Sequence, residues 1–244
     1  MRCVHEASLH ERNCFITLTY DDDHLPPGLS LKLKDYQDFM KRLRKRYGNG
    51  IRFYHAGEYG DDFQRPHYHA LLFNHDFDDR VPWKQEGKFP LDRSAELEEL
   101  WTFGHSSVGN VTFESAAYVA RYITKKVTGE EADKHYEIMC PDTGEIMHRA
   151  PEYATMSRRP GIGHGWFDRW KSDAYPSDFI VMRGMKMRPP KFYETKLSEG
   201  ELSQIKSKRV RQARKNAHDN TVERRRVKEK VKLAQISTLK RNLK

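Results

Sequence analysis

His67 and His69 stand two residues apart in the stretch Arg65-Pro-His-Tyr-His-Ala-Leu-Leu-Phe73. On a β-strand they share one face with Leu71 and Phe73, while Tyr68, Ala70 and Leu72 take the other, because side chains alternate. Paired imidazoles on a rigid strand suit a divalent ion. Neutral imidazole binds Mn, Zn, Fe, Ni or Cu, and carboxylate and water suit Mg or Mn. Such a pair needs a further ligand, and Glu58, on the preceding strand candidate, is the best placed once the two strands form a hairpin. Two histidines and one carboxylate leave positions open for water and substrate oxygens, as a catalytic site requires. Cupin-type sites also use His-x-His but want an acid shortly after the second histidine. Here Ala, Leu, Leu and Phe follow.

A second group of reactive residues lies on a helix that Ser115 can cap and that carries Tyr118 to Val127. Ala116, Val119, Ala120, Ile123 and Val127 recur at i, i+3, i+4, i+7 and i+11, an apolar stripe for the core. Tyr118, Tyr122 and Lys125 project to the other side, with Arg121 and Lys126 flanking them. A helical tyrosine ordinarily packs in the core, but here smaller side chains already fill that face. Two phenols one turn apart beside ammonium groups have a chemical use: a tyrosine oxygen can attack a phosphodiester and become joined to the nucleic acid. Its ordinary pKa is about 10, so attack at neutral pH needs a metal-polarised phosphate and a nearby cation. Lys125, and less directly Lys126, supplies the cation.

Both groups depend on elements that hold them. Cys14–Tyr20 is rich in β-branched and aromatic residues and reads as a strand closed by three aspartates. Tyr36, Phe39, Met40, Leu43 and Tyr47 make 31–47 an amphipathic helix ended by Gly48. Ile51–Tyr59 and the histidine stretch form the hairpin. A polar, proline-containing stretch leads to a short helix at Ala95–Trp101, then a strand around Val108–Val111. Tyr136–Cys140 and Glu145–His148 flank turn residues and read as a second hairpin. The basic, Gly-rich loop Met156–Trp166 matches neither GxGxxG after a strand nor a phosphate-binding loop. It contributes Arg158 and Arg159 as candidate DNA contacts, alongside Arg121 and Lys126. Phe179–Met187 reads as a last strand, and Pro189-Pro190 as a boundary. The expected organisation is a catalytic domain over 1–190, with core 14–128 and accessory loops 129–190. A helical or partly disordered tail covers 191–244.

Charge supports that division. The chain of 244 residues carries +9, yet residues 196–244 hold 16 Lys+Arg against 5 Asp+Glu, so the remainder is close to neutral. A basic appendage of this kind points to a polyanion, nucleic acid above all, although a solvated helix has the same composition. No apolar run is long enough to span a membrane. The three cysteines, Cys3, Cys14 and Cys140, have no CxxC spacing and fit a reducing cytoplasm.

Taken in order, FITLTY, GEYG, RPHYHALLF and YVARYITKK resemble the motifs of HUH endonucleases, in particular the replication initiators of gokushovirus-type microviruses. The resemblance runs from at least Arg2 to Trp166. It implies an α+β fold, a central antiparallel sheet with flanking helices. It implies Mg2+ or Mn2+ bound by His67 and His69 with Glu58 as third ligand, Tyr118 and Tyr122 as paired nucleophiles, and Lys125 as the phosphate-stabilising cation. The activity implied is nicking and rejoining of single-stranded origin DNA through a 5′-phosphotyrosine in rolling-circle replication. The implied partners are host helicase and polymerase, in the bacterial cytoplasm. Relatives carry a Cys-rich segment ahead of the position of Arg2, so its absence here points to a truncated N-terminus or an internal start. A plasmid initiator, relaxase or transposase would share the chemistry. A non-catalytic DNA-binding or packaging protein would leave the tyrosine face unexplained.

Overall fold

A computed structural model describes residues 1–60, 64–86, 89–121, 126–139 and 144–238. It falls into two compact units, Met1–Gly165 and a second beginning at Trp166.

The first unit opens with a short helix α1 (Arg2–Ala7), strand β1 (Asn13–Tyr20) and helix α2 (Leu33–Tyr47). β2 (Arg52–Tyr59) and β3 (Pro66–Phe73) form the expected hairpin, and β4 (Val81–Glu86) and β5 (Phe89–Arg93) form another. Helix α3 (Ala95–Leu100), β6 (Gly104–Asn110) and α4 (Phe113–Arg121) follow. Beyond them come α5 (Ala132–Tyr136), the small hairpin β7 (Glu137–Met139) and β8 (Ile146–His148), and β9 (Tyr153–Met156). Seven strands build one sheet in the order β4-β5-β6-β1-β3-β2-β9, so the histidine strand lies inside it, between β1 and β2. Every pairing in it is antiparallel. With helices on its faces, this is the α+β architecture expected.

Alternation divides the core in two. Ile16, Leu18, Tyr20, Tyr68, Ala70 and Leu72 turn one face towards Tyr36, Phe39, Met40 and Leu43 of α2. Phe15, Tyr54, Ala56, Leu71 and Phe73 turn the other towards Ala116 and Val119 of α4. β3 is therefore buried along nearly its whole length, which fixes its register: a slip by one residue would exchange the two faces.

Several local readings change. The polar stretch before α3 is the β4–β5 hairpin; its Pro82 is tolerated because β4 is an edge strand. Thr112, not Ser115, caps α4. Thr112 Oγ1 accepts from the Ser115 amide at 3.1 Å, and Ser115 Oγ accepts from the Thr112 amide at 2.8 Å. Described helix ends at Arg121, and Val127 packs in the α2-side core, so the predicted stripe does not continue to it on one helix. Ala120 of that stripe is exposed.

The second unit begins at Trp166 rather than at the Pro189-Pro190 step. Trp166 and Phe167 of α6 (His164–Ala174) pack their rings on Tyr193, with centroids 5.8 and 5.2 Å away. The expected last strand is a hairpin of β10 (Ile180–Met182) and β11 (Met185–Met187), because Arg183 and Gly184 take φ of 52° and 76°, the two-residue turn that suits twisted strands. Tyr193 lies in α7 (Lys191–Glu194). The tail that follows is helical in its described part, as α8 (Glu199–Lys215) and α9 (Val222–Ser237). Arg209 anchors α8 through Asp178 and Glu194, at 2.6 and 2.8 Å, whereas α9 buries no residue. Among the described residues no helix is long and apolar enough to cross a membrane.

Candidate active site

Register brings the reactive residues together. In β3, His67 pairs with Glu58 of β2 and Thr19 of β1, while His69 pairs with Ala56 and Thr17. Directly opposed residues point to the same face, so Glu58, His67, Thr19, His69 and Thr17 share one patch. Thr19 Oγ1 lies 3.2 Å from His67 Nδ1, and Thr17 Oγ1 lies 3.0 Å from His69 Nδ1. Each ring is thus held by a hydroxyl at Nδ1, which orients Nε2 towards the candidate site. His69 Nε2 is 3.0 Å from Glu58 Oε1, and both residues are buried. The His67 ring is partly exposed, and its Nε2 comes within 2.9 Å of where a Cβ on Gly60 would be. Only a glycine leaves that space.

The chemistry of this donor set fits a divalent ion: two imidazoles with hydroxyl-held Nδ1 atoms and one carboxylate. Among the described residues, no three His, Cys, Asp or Glu side chains are gathered closely enough to hold an ion as they stand. Glu58 instead contacts His69 directly.

α4 places Tyr118 on this patch. Its ring stands edge-on to His69, with centroids 5.1 Å apart and planes at 79°. It is also edge-on to Phe15, at 6.2 Å, and Phe15 in turn stacks on His69 at 5.8 Å. Tyr118 is therefore half-buried against the Phe15–Leu71 core rather than turned away from it, correcting the outward orientation expected. The stripe argument divided the helix into core and solvent faces, but this helix crosses a sheet that ends in a reactive patch. Tyr122 and Lys125 lie outside the described residues. Arg121 follows at the end of α4, where its Nε donates to the Ala117 carbonyl at 3.3 Å, and Lys126 is exposed.

Arg158 and Arg159 are not brought to the histidines. They are exposed just past β9, where the Ser157 amide bonds to the Phe53 carbonyl at the Arg52 end of β2. Glu58 is six residues along that strand, roughly 20 Å at about 3.3 Å per residue.

Thr17 and Thr19 were missed by sequence reading. Their signal was the same two-residue spacing as His67 and His69, in FITLTY. His105 was missed as well: it opposes Thr19 from β6 and extends the row Glu58–His67–Thr19. Across the sheet, His55 faces the α2 core. It is fully buried, stacked on Tyr36 at 3.4 Å, and burial together with the nearby His69 holds its pKa well below the ordinary value.

An α+β sheet with a histidine pair, a carboxylate and a tyrosine on one interior patch defines a class, and the comparisons agree with it. Residues 13–127 match the family described as replication-associated protein ORF2. That span contains the whole patch. The chain is similar to the replication-associated protein VP4 of Bdellovibrio phage phiMH2K, 32% identical over 80% of this chain and 60% of that protein. It is also similar to the replication-associated protein ORF4 of Chlamydia phage 1, 39% identical over 78% of this chain and 47% of that protein. The replication-associated protein ORF2 of Spiroplasma virus 4 is 31% identical over 84% of this chain and 65% of its own length. The chain thus spans roughly half to two thirds of the relatives it matches. No solved structure matches it. These matches support a phage replication-associated protein.

Proposed function

We propose that the chain is the initiator of rolling-circle replication of a single-stranded DNA phage, nicking and rejoining the origin strand by transesterification on tyrosine. The observation that carries this reading is the convergence of Tyr118 with the hydroxyl-held His69 on one patch. The Tyr118 oxygen attacks the scissile phosphorus, the bond to the 3′ oxygen breaks, and the tyrosine proton is balanced on the departing 3′-OH. The product is a 5′-phosphotyrosine and a primer end for host polymerase, with unwinding by host helicase. Rejoining reverses the step: a 3′-OH attacks the phosphotyrosine and releases the phenol. The energy of the broken bond is retained, so no nucleotide is consumed.

His67, His69 and Glu58 would hold Mg2+ or Mn2+, which when bound polarises the phosphate and neutralises its charge. Thr17 and Thr19 fix the two rings in the orientation that such binding needs. Tyr122 would serve as the second nucleophile and Lys125 as the cation at the phosphate, while Arg121 and Lys126 would contact the strand. Incubation with labelled single-stranded origin DNA and Mn2+ should give a covalent protein–DNA band on a denaturing gel. Absence of the band with every fragment of the phage origin region would reject the reading.

A further inference from the structure

Trp83 stands on the same sheet face as the candidate site, in a setting the nicking chemistry leaves unused. β4 and β5 pair Val81 with Arg93 and Lys84 with Leu91, and the register shifts between Pro82 and Lys84. Trp83 is therefore the residue at a β-bulge, a device that re-aims a side chain on an edge strand. Half of its surface is exposed, 50%, on an indole that folding alone would bury. Two cations bracket the ring: Lys84 Nζ lies 4.6 Å from its centroid and the Arg93 guanidinium carbon 5.9 Å. Arg93 is steadied by Glu98, which accepts from its Nε at 2.7 Å.

The face follows from register. Leu91 Cδ2 and Phe15 Cδ1 both lie against Gly109, 3.3 and 3.4 Å from where its Cβ would be, so Leu91 shares the face of Phe15 and His69. Lys84, opposite Leu91, and Arg93, two residues further, share it too, and the indole they contact lies with them. Asp92 opposes Val108, which places Arg93 in the cross-strand row of Ser107, Thr17 and His69. Four strand steps separate β4 from β3, about 20 Å at roughly 4.8 Å each. A strand crossing this face would cover that distance in a few nucleotides.

An exposed indole flanked by cations suits one ligand chemistry above others: a planar base carried on a phosphate backbone. We propose that Trp83, with Lys84 and Arg93, is a stacking platform for an unpaired base of the DNA strand outside the nicked bond. The proposal rests on the reading that this face handles single-stranded DNA. It adds a sequence-tolerant grip at a distance from the chemistry.

The test separates base from backbone. Fluorescence anisotropy in chelator would measure the binding of a thymidine homopolymer of roughly 16 nucleotides, and of an abasic strand of the same length, so that no cleavage intervenes. Trp83→Ala should weaken binding of the homopolymer roughly tenfold and leave the abasic strand unchanged, since stacking of one base is worth about that factor. Trp83→Phe should restore most of the loss, which excludes misfolding as its cause. Equal affinities of the wild type and Trp83→Ala for the homopolymer would overturn the proposal. So would an equal loss on the abasic strand, or a change from dimer to monomer with unchanged DNA affinity, which would make this a protein interface. A wild type that forms no covalent band but shows the base-dependent loss would refute the tyrosine chemistry and leave the platform standing.

Discussion

Tyr118 and His69 meet edge to face, 5.1 Å between ring centroids, although one comes from a helix and the other from the interior of the sheet. The contact depends on two independent fixings. Thr17 orients His69 from the neighbouring strand, and the Thr112–Ser115 cap sets where α4 begins and so which residue reaches the patch. Losing either should separate structure from chemistry in a measurable way.

Replacement of the strand threonines tests the first fixing. Thr17→Val and Thr19→Val keep the strand's shape but remove the hydroxyl at each Nδ1. Partners of this kind are worth about 10–100-fold in metal affinity. Calorimetric titration with Mn2+ should show a loss of that order in the double variant, with an unchanged melting temperature.

The second fixing is tested at the cap. Thr112→Ala removes the hydroxyl that accepts from the Ser115 amide, and should cost about 1 kcal/mol of stability. Because α4 carries Tyr118, covalent-adduct formation should fall while Mn2+ affinity stays the same. Denaturant melts and the adduct assay measure the two effects separately.

Gly60 offers a sharper steric probe. A Cβ there would sit 2.9 Å from His67 Nε2, so Gly60→Ala must displace the ring. We expect adduct formation to drop at least tenfold while far-UV circular dichroism is unchanged.

Acid stability has a predicted sign. His55 and His75 are held neutral in the folded protein, His55 by burial and the nearby His69, His75 by burial and the Arg12 charge. Both take up protons near the ordinary value of about 6.5 once unfolded. Below that pH the unfolded state binds more protons, so stability is full above it and falls as pH drops from about 6.5. His55→Gln should flatten the fall in denaturant midpoints measured across that range.

Much of this was legible in the sequence because it rests on alternation. The spacing of His67 and His69, the β-branched run Cys14–Tyr20 and the periodicity of 31–47 each record which side of an element is buried, and the sheet and its covering helix followed. What alternation does not encode is pairing between distant strands. Hence Thr17 and Thr19, which complete the histidine patch only once β1 lies beside β3, were passed over. So was the β4–β5 hairpin, whose prolines argue against a strand unless it is known to lie at an edge. The orientation of Tyr118 was misjudged for a related reason. Helical periodicity says which residues leave the core, not what stands beside the place where they leave it.

The central claim is that a tyrosine on α4 becomes bonded to DNA at the histidine patch. The most direct measurement is mass spectrometry of the peptides left after nuclease digestion of the adduct with single-stranded origin DNA and Mn2+. The account predicts a nucleotide on Tyr118 or Tyr122, lost in His67→Ala/His69→Ala and in the Tyr118→Phe/Tyr122→Phe protein. An adduct mapped to another residue, or one that persists in Tyr118→Phe/Tyr122→Phe, would contradict it.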